Sequence, residues 1–291
     1  MTRETIKRSL IVAAALAAVA PAPADAQGTR PLTVGLLRAD GFALPFAHWG
    51  GVEWTTLRSD SLPIDVHYVD RWYLSTGNGF RPLTAGSMVS FMDGDNFYEG
   101  WGQLTDFSPR RFEPRSYPRP RVGVVLSRPE RLIHLRSVGR SDPLRAQISR
   151  LIRAELDRQD SATVQRFMTG STLSARERTR LPVRLAKLEA SHERVSGERI
   201  YLYVAERDYP GCETGALQGF ALEKNGALRL VSPQFELSDC EGKGRARLTI
   251  EAILPLPEGV FLLGEESGWE SATRVVLEMT PSGIRRVVPR R

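Results

Sequence analysis

Two cysteines, four lysines and four histidines in 291 residues narrow what this chain can be. Two cysteines are too few for a disulfide-dense miniature scaffold or a four-cysteine zinc site. His48, His67, His134 and His192 stand far apart, with no spacing that places two imidazoles on one helix turn, and His192-Glu193 lacks the second His of a zinc helix. The sequence therefore predicts no metal site and no bound cofactor. There is also no Gly-x-Ser-x-Gly nucleophile elbow, and Gly242-Lys243 lacks the Gly five residues upstream that a P-loop needs. A Ser, His and Asp triad built from distant positions is left open by these spacings. The lysine shortage is made up by arginine, a skew we read as the codon bias of a GC-rich bacterial genome and not as a set of phosphate clamps.

Long apolar runs are scarce too. The one clear run covers residues 10–20, behind Arg3, Lys7 and Arg8. Eleven helical residues span roughly 17 Å at about 1.5 Å each, short of about 30 Å of hydrocarbon. Pro21 and Pro23 close the run, and Ala24-Asp25-Ala26 offers a small-x-small cleavage site before Gln27. Residues 1–26 thus read as a bacterial secretory signal peptide, and no Cys follows the site to take a lipid. The expectation is a mature chain that starts at Gln27, has no transmembrane segment, and resides in the periplasm or outside the cell. An oxidising destination makes a Cys212–Cys240 disulfide the default pairing.

The formal net charge of +6 is unevenly placed. Residues 27–109 carry five basic and nine acidic side chains, residues 110–184 carry eighteen and seven, and residues 185–291 carry fourteen and sixteen. The middle segment holds essentially all of the excess positive charge. Export argues against a nucleic-acid partner and leaves anionic envelope surfaces. Residues 108–121 interleave four prolines with Arg110, Arg111, Arg115, Arg119 and Arg121. Proline at that density forbids a helix, so this is a surface connection: a solvated linker or an anion-binding arm.

Strand signals dominate on both sides. Apolar runs near residues 32–37, 42–47 and 52–57 are separated by Asp40-Gly41 and Gly50-Gly51, a hairpin and meander pattern. Further strands are expected at 66–74, 87–92, 97–107 and 122–126. Within this part, the run from Val34 to Gly41 and on through Pro45-Phe46-Ala47 resembles openings of exported bacterial proteins, and the resemblance implies no activity. Trp49, Trp54, Trp72 and Trp101 either line a carbohydrate cleft or fill the core, and the Gly-rich β context favours the core. Asp93-Gly94-Asp95-Asn96 with Glu99 is the densest carboxylate group, yet it lacks the EF-hand order and reads as a hairpin turn.

One helix is clear. Asp142 is a good N-cap, Pro143 suits the first helical position, and Leu144, Ile148, Leu151, Ile152 and Leu156 form an apolar stripe with Arg150, Arg153 and Asp157 opposite. A shorter helix follows the capping box Ser174-x-x-Glu177 and stops before Pro182. Residues 183–193 fit either a helix or a strand, and we favour a strand feeding the Gly197 turn; strands then follow at 200–205, 217–223, 228–232, 247–254, 260–264, 273–279 and 284–288. Asn225-Gly226 marks a two-residue hairpin. With that turn, cross-strand numbers sum to 451, which sets Cys212 opposite Asp239, and a bulge near Gly215 or Pro233 would bring Cys240 level.

The sequence thus predicts a mainly β chain of antiparallel meanders, as two sheets, a sandwich or a partial propeller, with a short helical insert. Its boundaries are an N-terminal meander at 27–109, a basic Pro/Arg-rich connection and helical insert at 110–182, and a disulfide-stapled antiparallel region at 183–291. The expected function is non-enzymatic binding of an envelope component or another protein. The alternative is a hydrolase of an envelope polymer, using carboxylates such as Asp93 and Asp95 near the Trp-rich half.

Overall fold

The computed structural model describes residues 30–56, 69–76, 79–93, 96–102, 104, 107–108, 121–167, 173–240, 246–268 and 272–287. The expected signal segment, residues 1–26, lies outside them. Among the described residues the chain forms three antiparallel sheets and two helices, the mainly β architecture with a helical insert that the sequence patterning predicts.

The first sheet uses β1 (Leu32–Arg38), β2 (Ala43–Trp49), β3 (Trp54–Thr56), β4 (Arg71–Thr76), β5 (Gly79–Thr84), β6 (Met88–Asp93), β7 (Asn96–Trp101) and β8 (Arg121–Leu126). Their order is β5-β4-β8-β1-β2-β7-β6, with β3 on β2. β8 therefore enters from the basic middle segment to sit between β1 and β4. β5 is absent from the predicted strands; it contains Pro82 and is an edge strand, where a missing ladder donor is tolerated. A short β9 (Leu135–Ser137) precedes α1 (Pro143–Phe167) and α2 (Ala175–Arg178). β10 (Arg184–Ser191), β11 (Arg199–Asp208), β12 (Thr214–Lys224) and β13 (Ala227–Ser238) join β9 in a second sheet. The third contains β14 (Arg247–Leu256), β15 (Gly259–Ser267), β16 (Ala272–Thr280) and β17 (Gly283–Arg286).

The third sheet, last in sequence, is central in space. Ala252, Leu254, Phe261, Leu263 and Val276 pack into one core with Leu32, Val34, Leu36, Phe46, Trp49, Val124 and Leu126 of the first sheet. The alternate residues, among them Ile253, Val260, Leu262, Val275 and Leu277, pack into a second core with Ile200, Leu202, Phe220, Leu222 and Val231. Period-two alternation sends successive side chains to opposite faces, so both faces of this sheet are apolar and both are covered. A bulge between Ile250 and Ala252 reverses the facing there, which is why Ile250 belongs to the second core although it is two residues from Ala252. His134 fastens the same place: its Nδ1 donates to the Glu251 carbonyl at 3.1 Å, and its Nε2 lies 3.1 Å from Ser75 Oγ. Next to it, Ile133 and Ile253 exchange two backbone hydrogen bonds of 2.8 and 2.7 Å.

α1 covers the outer face of the second sheet. Asp142 Oδ1 accepts from Leu144 N at 2.9 Å, as an N-cap should. Ile148, Ile152 and Leu156 pack on Tyr201, Tyr203, Ala205 and Leu217. Leu144 is partly buried against this core, whereas Leu151 is only half-buried and falls outside it. The buried row recurs every four residues and is narrower than the predicted stripe. At α2 the capping box forms in both directions between Ser174 and Glu177.

The β12–β13 hairpin turns on Asn225 and Gly226, with φ of 53° and 84°, values that suit Asn and Gly. Pairing numbers sum to 451 from Lys224↔Ala227 to Phe220↔Val231, and to 452 from Gln218↔Gln234 to Thr214↔Ser238. The extra residue sits at Ser232-Pro233, opposite Gly219. A Cβ on Gly219 would lie 2.9 Å from Tyr203 Oη and 3.1 Å from the Ser232 carbonyl, so the bulge requires glycine there. The shift brings Cys212 and Cys240 level, and they are disulfide-bonded across 4.9 Å between Cα atoms.

Candidate functional site

A cavity of about 520 Å³ opens at one end of the first sheet and is lined by Pro31, Thr33, His48, Val69, Asp70, Arg71, Tyr73 and Ser127. Thr33 on β1 and His48 on β2 are direct cross-strand partners. Their side chains meet at 3.0 Å, Thr33 Oγ1 to His48 Nδ1, and both residues are buried. Ser127 follows β8 and is held against β1: Thr33 N donates to Ser127 Oγ at 2.9 Å, and Ser127 N donates to the Thr33 carbonyl at 3.0 Å. β4 brings the remaining wall, with exposed Asp70 and Arg71 and half-buried Tyr73. Six polar residues line it: three carry hydroxyls, one an imidazole, one a carboxylate and one a guanidinium. Such a wall offers both donors and acceptors to a polar ligand, and Arg71 adds a fixed positive charge.

Little in the sequence pointed to this cavity. His48 and Thr33 sit inside otherwise apolar strands, and their polarity at buried positions was the available signal. The convergence with Asp70 and Ser127 depends on β8 and β4 becoming neighbours of β1, which local pattern does not reveal.

A second polar cluster holds α1 and α2 to the second sheet. Arg207 is fully buried, and its Nη1 donates to Asp160 Oδ2 at 2.7 Å while Nη2 pairs with Asp157. Arg178 Nε donates to the other Asp160 oxygen at 3.0 Å, and Arg178 Nη1 donates to the Leu173 carbonyl at 2.9 Å. Burial alone would lower the Arg207 pKa, but the carboxylates of Asp157 and Asp160 outweigh it and raise the guanidinium above its ordinary value. Asp160 continues the row Ile148, Ile152, Leu156, one helical turn further on. Asp157, expected on the solvent side, instead pairs with Arg207. This cluster is a structural lock: its charges satisfy one another.

Trp49, Trp54, Trp72 and Trp101 are all buried in the core, and Trp49 and Trp54 also edge a depression of about 300 Å³ beside Glu53, Phe261, Glu278 and Arg285. Trp49, Trp54 and Phe261 pack with ring centroids 5.4–5.7 Å apart. Asp93 ends β6 and Asn96 begins β7, and the two are antiparallel partners; Gly94 and Asp95 are outside the described residues. Arg110, Arg111, Arg115 and Arg119 are also outside them, and of Arg121 only the backbone, at the start of β8, is described. His134 and His192 bond to backbone carbonyls. Among the described residues no three His, Cys, Asp or Glu side chains gather as a metal site, and no helix is long and apolar enough to cross a membrane. Comparison with protein-family models, curated proteins and solved structures returns no match.

Proposed function

We propose, from the chain's own residues alone, that this is an exported bacterial protein that binds a hydroxyl-rich, anionic envelope component in the cavity between β1, β2 and β4. The supporting observation is the cavity itself: about 520 Å³ with Thr33, His48, Asp70, Arg71, Tyr73 and Ser127 in its wall. Hydroxyl-rich ligands need donors and acceptors in alternation, and this wall supplies both. Export is supported by the sequence of residues 1–26 and by the Cys212–Cys240 bond, which suits an oxidising compartment.

The test is calorimetric titration of the purified chain with soluble envelope glycan fragments, acidic and neutral. Binding of the acidic fragments is expected, with loss of about tenfold or more in Arg71→Ala and in Asp70→Ala, and none in Arg158→Ala, on the exposed side of α1 and not among the residues that line the cavity. Equal affinity in all variants, or no binding, refutes the proposal. The hydrolase alternative is favoured by one contact, His48 Nδ1 to Thr33 Oγ1, in the same cavity. It requires hydrolysis of an ester or amide bond in an envelope polymer, with the acid and the alcohol or amine both released, abolished in His48→Ala.

A further inference from the structure

We propose that the groove between α1 and the start of β10 is a separate binding site for a single-chain anionic amphiphile, a fatty carboxylate in its simplest form. The groove, about 230 Å³, is lined by Ser149, Arg150, Ile152 and Arg153 of α1, by Val183 and Leu185 at the entry to β10, and by Ala205 of β11. It exceeds the roughly 150 Å³ that suffices to hold benzene in an apolar cavity.

Three observations fix the chemistry of the occupant. First, the floor is apolar: Ile152 and Ala205 belong to the core beneath α1, and Val183 and Leu185 pack on its edge. Ala205 is fully buried, and its short side chain, in a row otherwise made of Tyr201, Tyr203 and Arg207, leaves the space. Second, the rim is cationic. Arg150 and Arg153 lie three residues apart on one helix, so their charges face the same side and repel. Both are exposed; Arg153 reaches only the Thr179 carbonyl, at 3.4 Å, and no carboxylate pairs with either among the described residues. An entering anion relieves that repulsion, and planar guanidinium groups match a carboxylate in geometry.

Third, the adjacent strand edge is defended. Among the described residues β9 pairs with Glu189–Ser191 of β10 and Val138 N donates to the Leu188 carbonyl, and no strand pairs with the first half of β10 on that side. That half carries a bulge between Leu185 and Lys187 and two charged side chains, Arg184 and Lys187, the devices that block addition of another strand. An extended peptide is therefore disfavoured, whereas a molecule that lays an alkyl chain along Ile152, Val183 and Leu185 with its head group between Arg150 and Arg153 meets no such obstacle.

The test is calorimetric titration of the purified chain with dodecanoate below its micelle concentration. Dodecyl maltoside, dodecyltrimethylammonium and an acetylated Asp-Leu repeat peptide serve as comparison probes. Dodecanoate should bind with a dissociation constant on the order of 10–100 μM, and the neutral and cationic detergents about tenfold or more weakly. The surface variant Arg150→Gln/Arg153→Gln should lose about tenfold or more while melting like the parent, and Ala205→Leu should lose binding by filling the groove. Arg71→Ala, in the other cavity, should leave dodecanoate binding unchanged. No dodecanoate binding, equal binding of all three detergents, unchanged binding in the double variant, or preference for the peptide overturns the proposal.

Discussion

Asp160 and Arg207 meet where water does not reach: a guanidinium nitrogen lies 2.7 Å from a carboxylate oxygen, with the two side chains 0% and 1% exposed. Removing one partner of such a pair strands the other charge, which costs about 3–5 kcal/mol. Asp160→Asn should therefore lower the urea midpoint strongly, because both Arg207 and Arg178 lose their shared anion. Asp157→Asn should cost much less, since Asp157 is 31% exposed and Arg207 keeps Asp160. Equal destabilisation by the two variants would show that the burial is not as described.

Reducing the Cys212–Cys240 bond, or replacing both residues by Ser, releases a closed loop of 29 residues. Chain entropy assigns that release about 3.6 kcal/mol. The expected outcome is a lower denaturant midpoint with an altered slope, because the unfolded chain expands. Peptide mapping without reductant on protein recovered from an oxidising compartment should find the linked pair.

The face of α1 can be tested side chain by side chain. Ile152→Asp buries a charge among Tyr203, Ala205 and Leu156 and should destabilise by several kcal/mol. Leu151→Asp, at a half-buried position outside the core, should cost less, and Arg150→Asp on the exposed side little. The order of the three melting temperatures is the measurement.

Desolvation in the interior pushes the phenols of Tyr201, Tyr203 and Tyr209 above the ordinary tyrosine range. A group whose folded pKa is raised contributes stability that is fully present below its unfolded pKa, about 10, and is lost as pH rises beyond that value. Neutral stability should thus be insensitive to these groups, and stability should fall with pH above about 10. Tyrosinate absorbance from the three should appear together with unfolding, later than in a denatured control.

Much of the fold was legible because local chemistry decided it. Asn225-Gly226 named its turn, Asp142-Pro143 and Ser174-x-x-Glu177 named two helix starts, and the one-residue discrepancy between the cysteines called for a bulge near Gly215 or Pro233, of which the second is the place it takes. Sheet order was not legible: nothing in residues 121–126 says that they insert between β1 and β4, since that choice is made by packing across long sequence separations. The candidate site was hidden for the same reason, being assembled from β1, β2, β4 and the exit of β8. Charged residues misled in a different way. Asp157 reads as solvated, and nothing local singles out Asp160 or Arg207, until the row on α1 and the inward row on β11 are laid face to face, at which point opposite charges coincide.

The position of the last sheet has a temporal consequence. A ribosome, or a translocation pore, delivers the chain from its N-terminus, yet the layer shared by both cores is encoded in residues 247–286. Until those residues emerge, the apolar inner faces of the two earlier sheets have nothing to close on. Completion therefore waits for the final seventh of the chain, and deletion of β16 and β17 should leave two half-built cores in place of a trimmed but stable protein.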